Sequence, residues 1–286
     1  MEQFIYINGE IVSRDKAQVH VGDRGLMYGY GIFETMRSYK GHVFYLDRHI
    51  SRLAHSAGIL GIRDALETRN LEAGVSRTLK ANRLDDARIR LTVTAGEGGR
   101  SIGAASGNLT TIITVEKLVL PSSEVYAKGL RTSIVDIKRN PKSPLCYLKT
   151  LGYLENMLAH AEAVAAGSDE AILLNVDGYV AECSASNLFI VESGRIITPP
   201  VNAGVLPGIT RGIVIELAAK LGIKLVHESI SVDRLIDAEE VFITNSVIEI
   251  MPVATIDKKP VGSGSRGSLT ARLTEEYRKL TVSAAR

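Results

Sequence analysis

Residues 143–163 read SPLCYLKTLGYLENMLAHAEA, an apolar run that carries one lysine, Lys149. An amine in such a stretch is partly desolvated, which disfavours its charged form and makes the neutral nucleophile accessible near neutral pH. Schiff-base chemistry needs that nucleophile. Beyond the lysine, Leu151, Leu154, Leu158, Ala161 and Ala165 recur at helical spacing, and Gly167 stands where a C-terminal cap belongs. The spacing therefore predicts a helix that starts just after Lys149.

Upstream, FIYINGEIV places Asn8 and Gly9 between two short apolar runs, the strongest local hairpin signal. After YGYGIFETMRSYKG and HVFYL, Asp47 is placed to cap a helix bearing Ile50, Leu53, Ala54 and Ala57. Arg48 falls in its first turn, where the helix dipole disfavours a cation unless an anion compensates. A second helix is expected over about residues 64 to 82, and ARIRLTVTAG and LTTIITVEKL read as strands. The stretch VLPSSEVYAKG looks like a connection, which divides the chain into a smaller domain, residues 1–120, and a larger one, residues 121–286.

Downstream, EAILLNV and YVAE flank Asp177-Gly178, and NLFIVE and RIIT flank Ser193-Gly194, as two further hairpins, with Glu182 ending one strand. In LPGITRGIVIELAAKLGI, Pro207 and Gly208 precede a helix whose free first-turn amides could hold a phosphate. EVFITN runs into SVIEIMPV, and a last amphipathic helix is expected near residues 268 to 282.

Composition bounds the function. With 34 Lys and Arg against 32 Asp and Glu among 286 residues, there is no electrostatic case for nucleic acid or an anionic membrane. The opening MEQFIYINGEIV lacks the basic and apolar blocks of a signal peptide, and no apolar run approaches a membrane span, so a cytoplasmic protein is expected. Cys146 and Cys183 read first as two buried thiols, ahead of a reactive pair or a bridge. The six histidines are scattered without a metal-ligand spacing, so no metal is expected, and His49 and His55 read as helix-surface groups. The glycines near Tyr30 and Gly98 do not form a dinucleotide fingerprint.

Taken in order, YGYGIFETMRSYKG, LDRHISRLAHSA, YLKTLGYLENMLA, DGYVAECSASNLFIV, TPPVNAGVLPGITR and ITNSVIEIMPV resemble the class IV (fold type IV) pyridoxal-phosphate enzymes. That family holds branched-chain and D-amino acid aminotransferases and 4-amino-4-deoxychorismate lyases, and the likeness runs along nearly the whole chain. It implies a mixed α/β (α+β) fold of two domains like that of D-amino acid aminotransferase, with pyridoxal 5'-phosphate between them, and a homodimer.

The resemblance also implies site roles. Lys149 would form the Schiff base and then serve as base and acid at the substrate carbon. Glu182 would pair with the pyridine nitrogen, and Arg48 would hold the phosphate, leaving Arg52 a surface ion-pair role. Ile209 and Thr210 match phosphate-binding positions at a helix start, Asn245 and Ser246 a second phosphate-side turn, and Leu206 a residue against the cofactor ring. Tyr153 matches a tyrosine that hydrogen-bonds the cofactor's phenolic oxygen. Tyr28, Tyr30 and Arg100 are the substrate-side candidates.

The reaction is the finer question. Thr35 in FETMR, GEGGR with Arg100, and TNSVIEIMP lean toward the lyase, which releases pyruvate and 4-aminobenzoate. The larger share of aminotransferases in the family favours amino transfer between an aliphatic or branched-chain L-amino acid and a 2-oxo acid, and this is the primary expectation. Ile102 stands where D-amino acid aminotransferases offer a histidine, which places that activity lower. A non-catalytic cofactor-binding protein ranks lowest, because binding alone needs neither Lys149 nor Glu182.

Overall fold

The computed structural model describes residues 3–67, 70–98 and 108–284. The chain divides into two compact units, one of Met1–Val119 with Leu148–Gly152 and Thr281–Arg286, the other of Leu120–Tyr147 and Tyr153–Leu280. The short lysine segment thus groups with the first unit, whereas the sequence reading left it in the second.

The first unit is built on a six-stranded antiparallel sheet of β1 (Phe4–Ile7), β2 (Glu10–Ser13), β3 (Gly31–Tyr39), β4 (His42–Val43), β5 (Ala87–Thr94) and β6 (Thr110–Lys117), in the order β2-β1-β6-β5-β3-β4. Its helices are α1 (Arg24–Tyr28), α2 (Leu46–Ile59), α3 (Arg63–Glu67) and α4 (Leu71–Asn82). The Asn8-Gly9 hairpin forms as expected, with Ile7 opposite Glu10 and positive φ at both turn residues. Strand β5 alternates buried Ala87, Ile89, Leu91 and Val93 with half-buried partners, and these pack with Leu53, Ala57, Val75 and Leu79 of α2 and α4.

Two helix expectations change. Asp47 is not the cap of α2: Tyr45, in the left-handed region at φ 49°, starts the helix earlier and puts Asp47 in the first turn, where its charge suits the dipole. The stretch expected as one helix from 64 to 82 holds two, because the Asn70 side chain accepts from the Ala73 amide at 3.0 Å and opens α4 afresh.

The second unit holds a nine-stranded mixed sheet: β7 (Leu130–Ile134), β8 (Glu170–Leu174), β9 (Val180–Cys183), β10 (Asn187–Glu192), β11 (Arg195–Thr198), β12 (Leu225–His227), β13 (Glu240–Asn245), β14 (Glu249–Ile256) and β15 (Lys259–Pro260). The order is β12-β11-β10-β13-β14-β7-β8-β9, with β15 on β14. Helices α5 (Ser123–Lys128), α6 (Leu154–Ala165), α7 (Ile209–Lys220), α8 (Val232–Ile236) and α9 (Ser268–Ala284) complete it, the end of α9 from Thr281 grouping with the first unit. Strand β8 pairs in parallel with β7 and is buried along its whole length, as its unbroken apolar run requires.

Helix α6 forms where the spacing predicts it, just after Lys149. Ala159 and Ala163 pack on Val135, Ala171 and Leu173, and the leucines Leu154 and Leu158 with Met157 stay exposed. Alanines let the helix axis approach the strands closely, and the face three residues round is then left outside.

Candidate active site

In the first unit Lys149 is laid against the start of β3. The Phe33 amide donates to the Lys149 carbonyl at 2.9 Å, the Leu151 amide donates to the Gly31 carbonyl at 2.9 Å, and Thr150 bridges Ile32 in antiparallel fashion. Gly31 permits this approach, since a β-carbon there would lie 2.6 Å from the Val93 carbonyl oxygen and 2.7 Å from Leu151 Cδ1. The lysine is half-buried, with Nζ 4.5 Å from the centroid of the buried Phe33 ring. Its backbone is therefore fixed by strand hydrogen bonds rather than by a helix.

Next to Phe33, Glu34 is buried with His49 and Arg52. Arg52 donates through Nε to Oε1 at 2.8 Å and through Nη2 to Oε2 at 2.6 Å, and His49 Nδ1 lies 2.7 Å from Oε2. Burial alone would raise the Glu34 carboxyl, but the Arg52 charge and the bonds from Arg52 and His49 outweigh it and bring the pKa to about 2. Burial also lowers the His49 pKa against the pull of Glu34, so the ring is neutral and its Nδ1–H donates a hydrogen bond to the carboxylate. His49 is thus buried rather than a surface group, and Arg52 is no surface ion-pair residue, its side chain being 11% exposed. Arg48, expected to hold the phosphate, is half-buried with its guanidinium 4.3 Å from the Tyr45 ring centroid.

The second unit presents Glu182 at the end of β9, buried rather than facing solvent. Arg139 Nη2 lies 2.9 Å from Oε1, while Asn187 Nδ2 at 3.1 Å and the Leu206 amide at 3.0 Å donate to Oε2. Leu206 is half-buried, and its carbonyl in turn accepts from Asn187 at 2.9 Å. A carboxylate with these donors is held as an anion in one orientation.

Ile209, Thr210, Asn245 and Ser246, also expected on the phosphate side, lie in this second unit. Helix α7 begins after Gly208, a residue with no side chain to cap the first-turn amides of Ile209 and Thr210, and Thr210 is buried. A β-carbon at Gly208 would collide with Asn187 Oδ1, so a larger residue there would displace the Asn187 amide. Asn245 Oδ1 accepts from the Val247 and Ile248 amides at 2.9 Å each, and its Nδ2 donates to Ser186 Oγ at 3.0 Å; this shapes the turn that presents the half-buried Ser246. The Thr244 hydroxyl beside that turn is buried and unpaired. Tyr153 donates its hydroxyl proton to the Ser184 carbonyl at 3.0 Å.

Residues 31–256 match the amino-transferase class IV family. A Methanocaldococcus jannaschii protein named provisionally as a branched-chain-amino-acid aminotransferase is 39% identical, over 96% of each chain. The aminodeoxychorismate lyase of Bacillus subtilis is 34% identical over 96% of this chain and 94% of its own. The crystal structure of the Escherichia coli branched-chain amino acid aminotransferase matches with a TM-score of 0.91 at 33% identity, covering 98% of this chain and 95% of that one. The chain belongs to the class IV aminotransferase family.

As a member of that family it is an enzyme, and its mixed α/β architecture is the fold type IV one. The substrate-side candidates divide. Tyr30 is half-buried and donates its hydroxyl to the Leu60 carbonyl at 2.6 Å, Tyr28 is exposed, and Arg100, like Ile102, lies outside the described residues. Cys146 and Cys183 are both buried and unbridged. Burial is the main cause that raises both thiols, Cys183 well above its ordinary value. Among the described residues no group of three or more His, Cys, Asp or Glu could hold a metal ion.

Sequence reasoning missed Glu34, Arg139 and Asn187. A signal existed for Glu34, which shares strand parity with the buried Ile32 and Met36. None existed for Arg139, whose partners are 43 and 65 residues away in sequence or lie on the peptide backbone.

Proposed function

We propose that this enzyme is a pyridoxal 5'-phosphate-dependent aminotransferase that moves an amino group between an aliphatic or branched-chain L-amino acid and a 2-oxo acid. The observation that carries the reading is the Glu182 carboxylate, buried yet supplied with Arg139, Asn187 and the Leu206 amide, in a chain of the class IV family. The residues fit the cofactor: the open amides of α7 and the unpaired Thr244 hydroxyl suit a phosphate, and Glu182 suits a protonated ring nitrogen. When bound, the cofactor supplies an electron sink for charge developing at the substrate Cα.

Lys149 Nζ would hold the cofactor through its carbonyl carbon and, as a free amine, would take the proton from the substrate Cα. The Glu182 anion would keep the ring nitrogen protonated. Ile209 and Thr210 would bind the phosphate through their amides, and Arg48, Asn245 and Ser246 are assigned to its surroundings. Leu206 would flank the ring and Tyr153 would serve its phenolic oxygen, and Tyr28, Tyr30 and Arg100 are assigned to the substrate. We assign the substrate class from the branched-chain aminotransferases among the relatives.

Purified enzyme given the cofactor, L-leucine and 2-oxoglutarate should form glutamate. The likeness to the Bacillus subtilis lyase and Thr35 in FETMR support a second reading. If no glutamate forms, and aminodeoxychorismate instead gives 4-aminobenzoate and pyruvate, the lyase reading replaces the first.

The same proposal includes a homodimer in the cytoplasm. Leu26, Met27 and Tyr28 in the first unit and Leu154, Met157 and Leu158 in the second are all exposed, and clustered exposed apolar side chains suit an association surface. Two free thiols accord with a reducing compartment. No helix of the described residues is long and apolar enough to cross a membrane.

A further inference from the structure

Arg139 lies in the loop after β7, yet its side chain is only 10% exposed and reaches three separate stretches of chain. Nη2 contacts Glu182 Oε1 at 2.9 Å and donates to the Cys146 carbonyl at 3.1 Å, and Nε donates to the Gly204 carbonyl at 3.3 Å. Cys146 closes the turn three residues before Lys149, and Gly204 stands two residues before Leu206, whose amide also binds Glu182. Arg139 brings a positive charge to Glu182, whereas Asn187 and the Leu206 amide are neutral donors. Arg211 feels the Glu182 charge, but its Nη2 is turned to the Pro199 carbonyl and His227 Nδ1, at 3.0 and 3.1 Å.

A proton placed between a ring nitrogen and a carboxylate settles on the more basic of the two. A buried carboxylate by itself is a strengthened base, because burial disfavours its charge. A guanidinium in contact with the other oxygen reverses this, and it has no proton to give up at working pH. Glu182 then stays the anion and the ring nitrogen keeps the proton.

Resting on the reading that Glu182 faces the cofactor's ring nitrogen, we propose that Arg139 is the positioning residue that sets the protonation state of that ring. It does so by clamping Glu182 as an anion while tying the turn before Lys149 and the loop before α7 to the same carboxylate.

The test uses the full-length enzyme loaded with pyridoxal 5'-phosphate enriched in 15N at the ring nitrogen, read by NMR in the wild type, R139K and R139Q. The wild type and R139K should show the resonance of a protonated ring, and R139Q should shift toward that of neutral pyridine, with kcat falling more than KM rises. An unshifted resonance in a folded, loaded R139Q overturns the inference while leaving the reading of Glu182 intact. An unprotonated ring in the wild type sinks that reading itself, and this inference with it. Should R139Q fail to fold, the wild-type chain without cofactor decides. Its Glu182 carboxyl 13C shift should stay that of an anion through the range where an ordinary glutamate takes its proton, about pH 4 to 5, and protonation within that range overturns the proposal.

Discussion

Lys149 and Glu34 carry the clearest consequences of single side chains. If Lys149 is the nucleophile, borohydride reduction of the loaded enzyme followed by peptide mapping will place the label on residue 149. Lys149→Ala should then lose at least about 100-fold in kcat, the usual size of a lost proton-transfer group, and a label on any other lysine would refute the assignment. Glu34 predicts a stability profile instead. Its folded pKa of about 2 lies below the ordinary 4.5, so its contribution is complete above pH 4.5 and is lost as pH falls toward 2. The displacement corresponds to roughly 3 kcal/mol. His49 acts in the same sense: its lowered folded pKa makes the folded state resist protonation, so stability falls as pH drops below the ordinary 6.5. Urea unfolding at neutral pH should show Glu34→Gln less stable by about 3 to 5 kcal/mol, because Arg52 is left buried against a neutral amide. The acid-induced loss should be correspondingly shallower in that variant.

At the scale of elements, the lysine is registered by a strand. β3 offers Gly31 and Phe33 to the backbone around Lys149, and a side chain at position 31 would crowd the Val93 carbonyl and the Leu151 side chain beside that contact. Gly31→Val should cost about 1 to 3 kcal/mol, typical of overpacking. It should also slow borohydride labelling of Lys149, with far-ultraviolet circular dichroism unchanged; normal labelling would show that the strand does not place the amine. Helix α6 teaches the companion lesson. Its extent was legible in the spacing after Lys149, but its buried face was not, because leucine periodicity marks an apolar face without saying what covers it. Likewise Asn70, whose cap splits α3 from α4, lies within a pattern that reads as one continuous helix.

At the scale of the whole molecule, the proposed homodimer would cover apolar residues left outside α1 and α6. Sedimentation should give twice the mass of the 286-residue chain, and a double change Met157→Glu and Leu158→Glu should yield monomers; an unaltered dimer would place the interface elsewhere. The sequence alone determined the family, the two-part α+β organisation, the three hairpins and the helix at Gly208. Each of these rests on short-range signals: turn residues at fixed offsets, period-2 and period-3.6 patterns, and ordered motifs. Only the tertiary structure decided that His49 and Arg52 converge on Glu34, that Glu182 is buried, and that Arg139 joins it to two loops. Those pairings depend on which distant strands become neighbours, and a charged residue's spacing along the chain carries no record of the opposite charge that will meet it after folding.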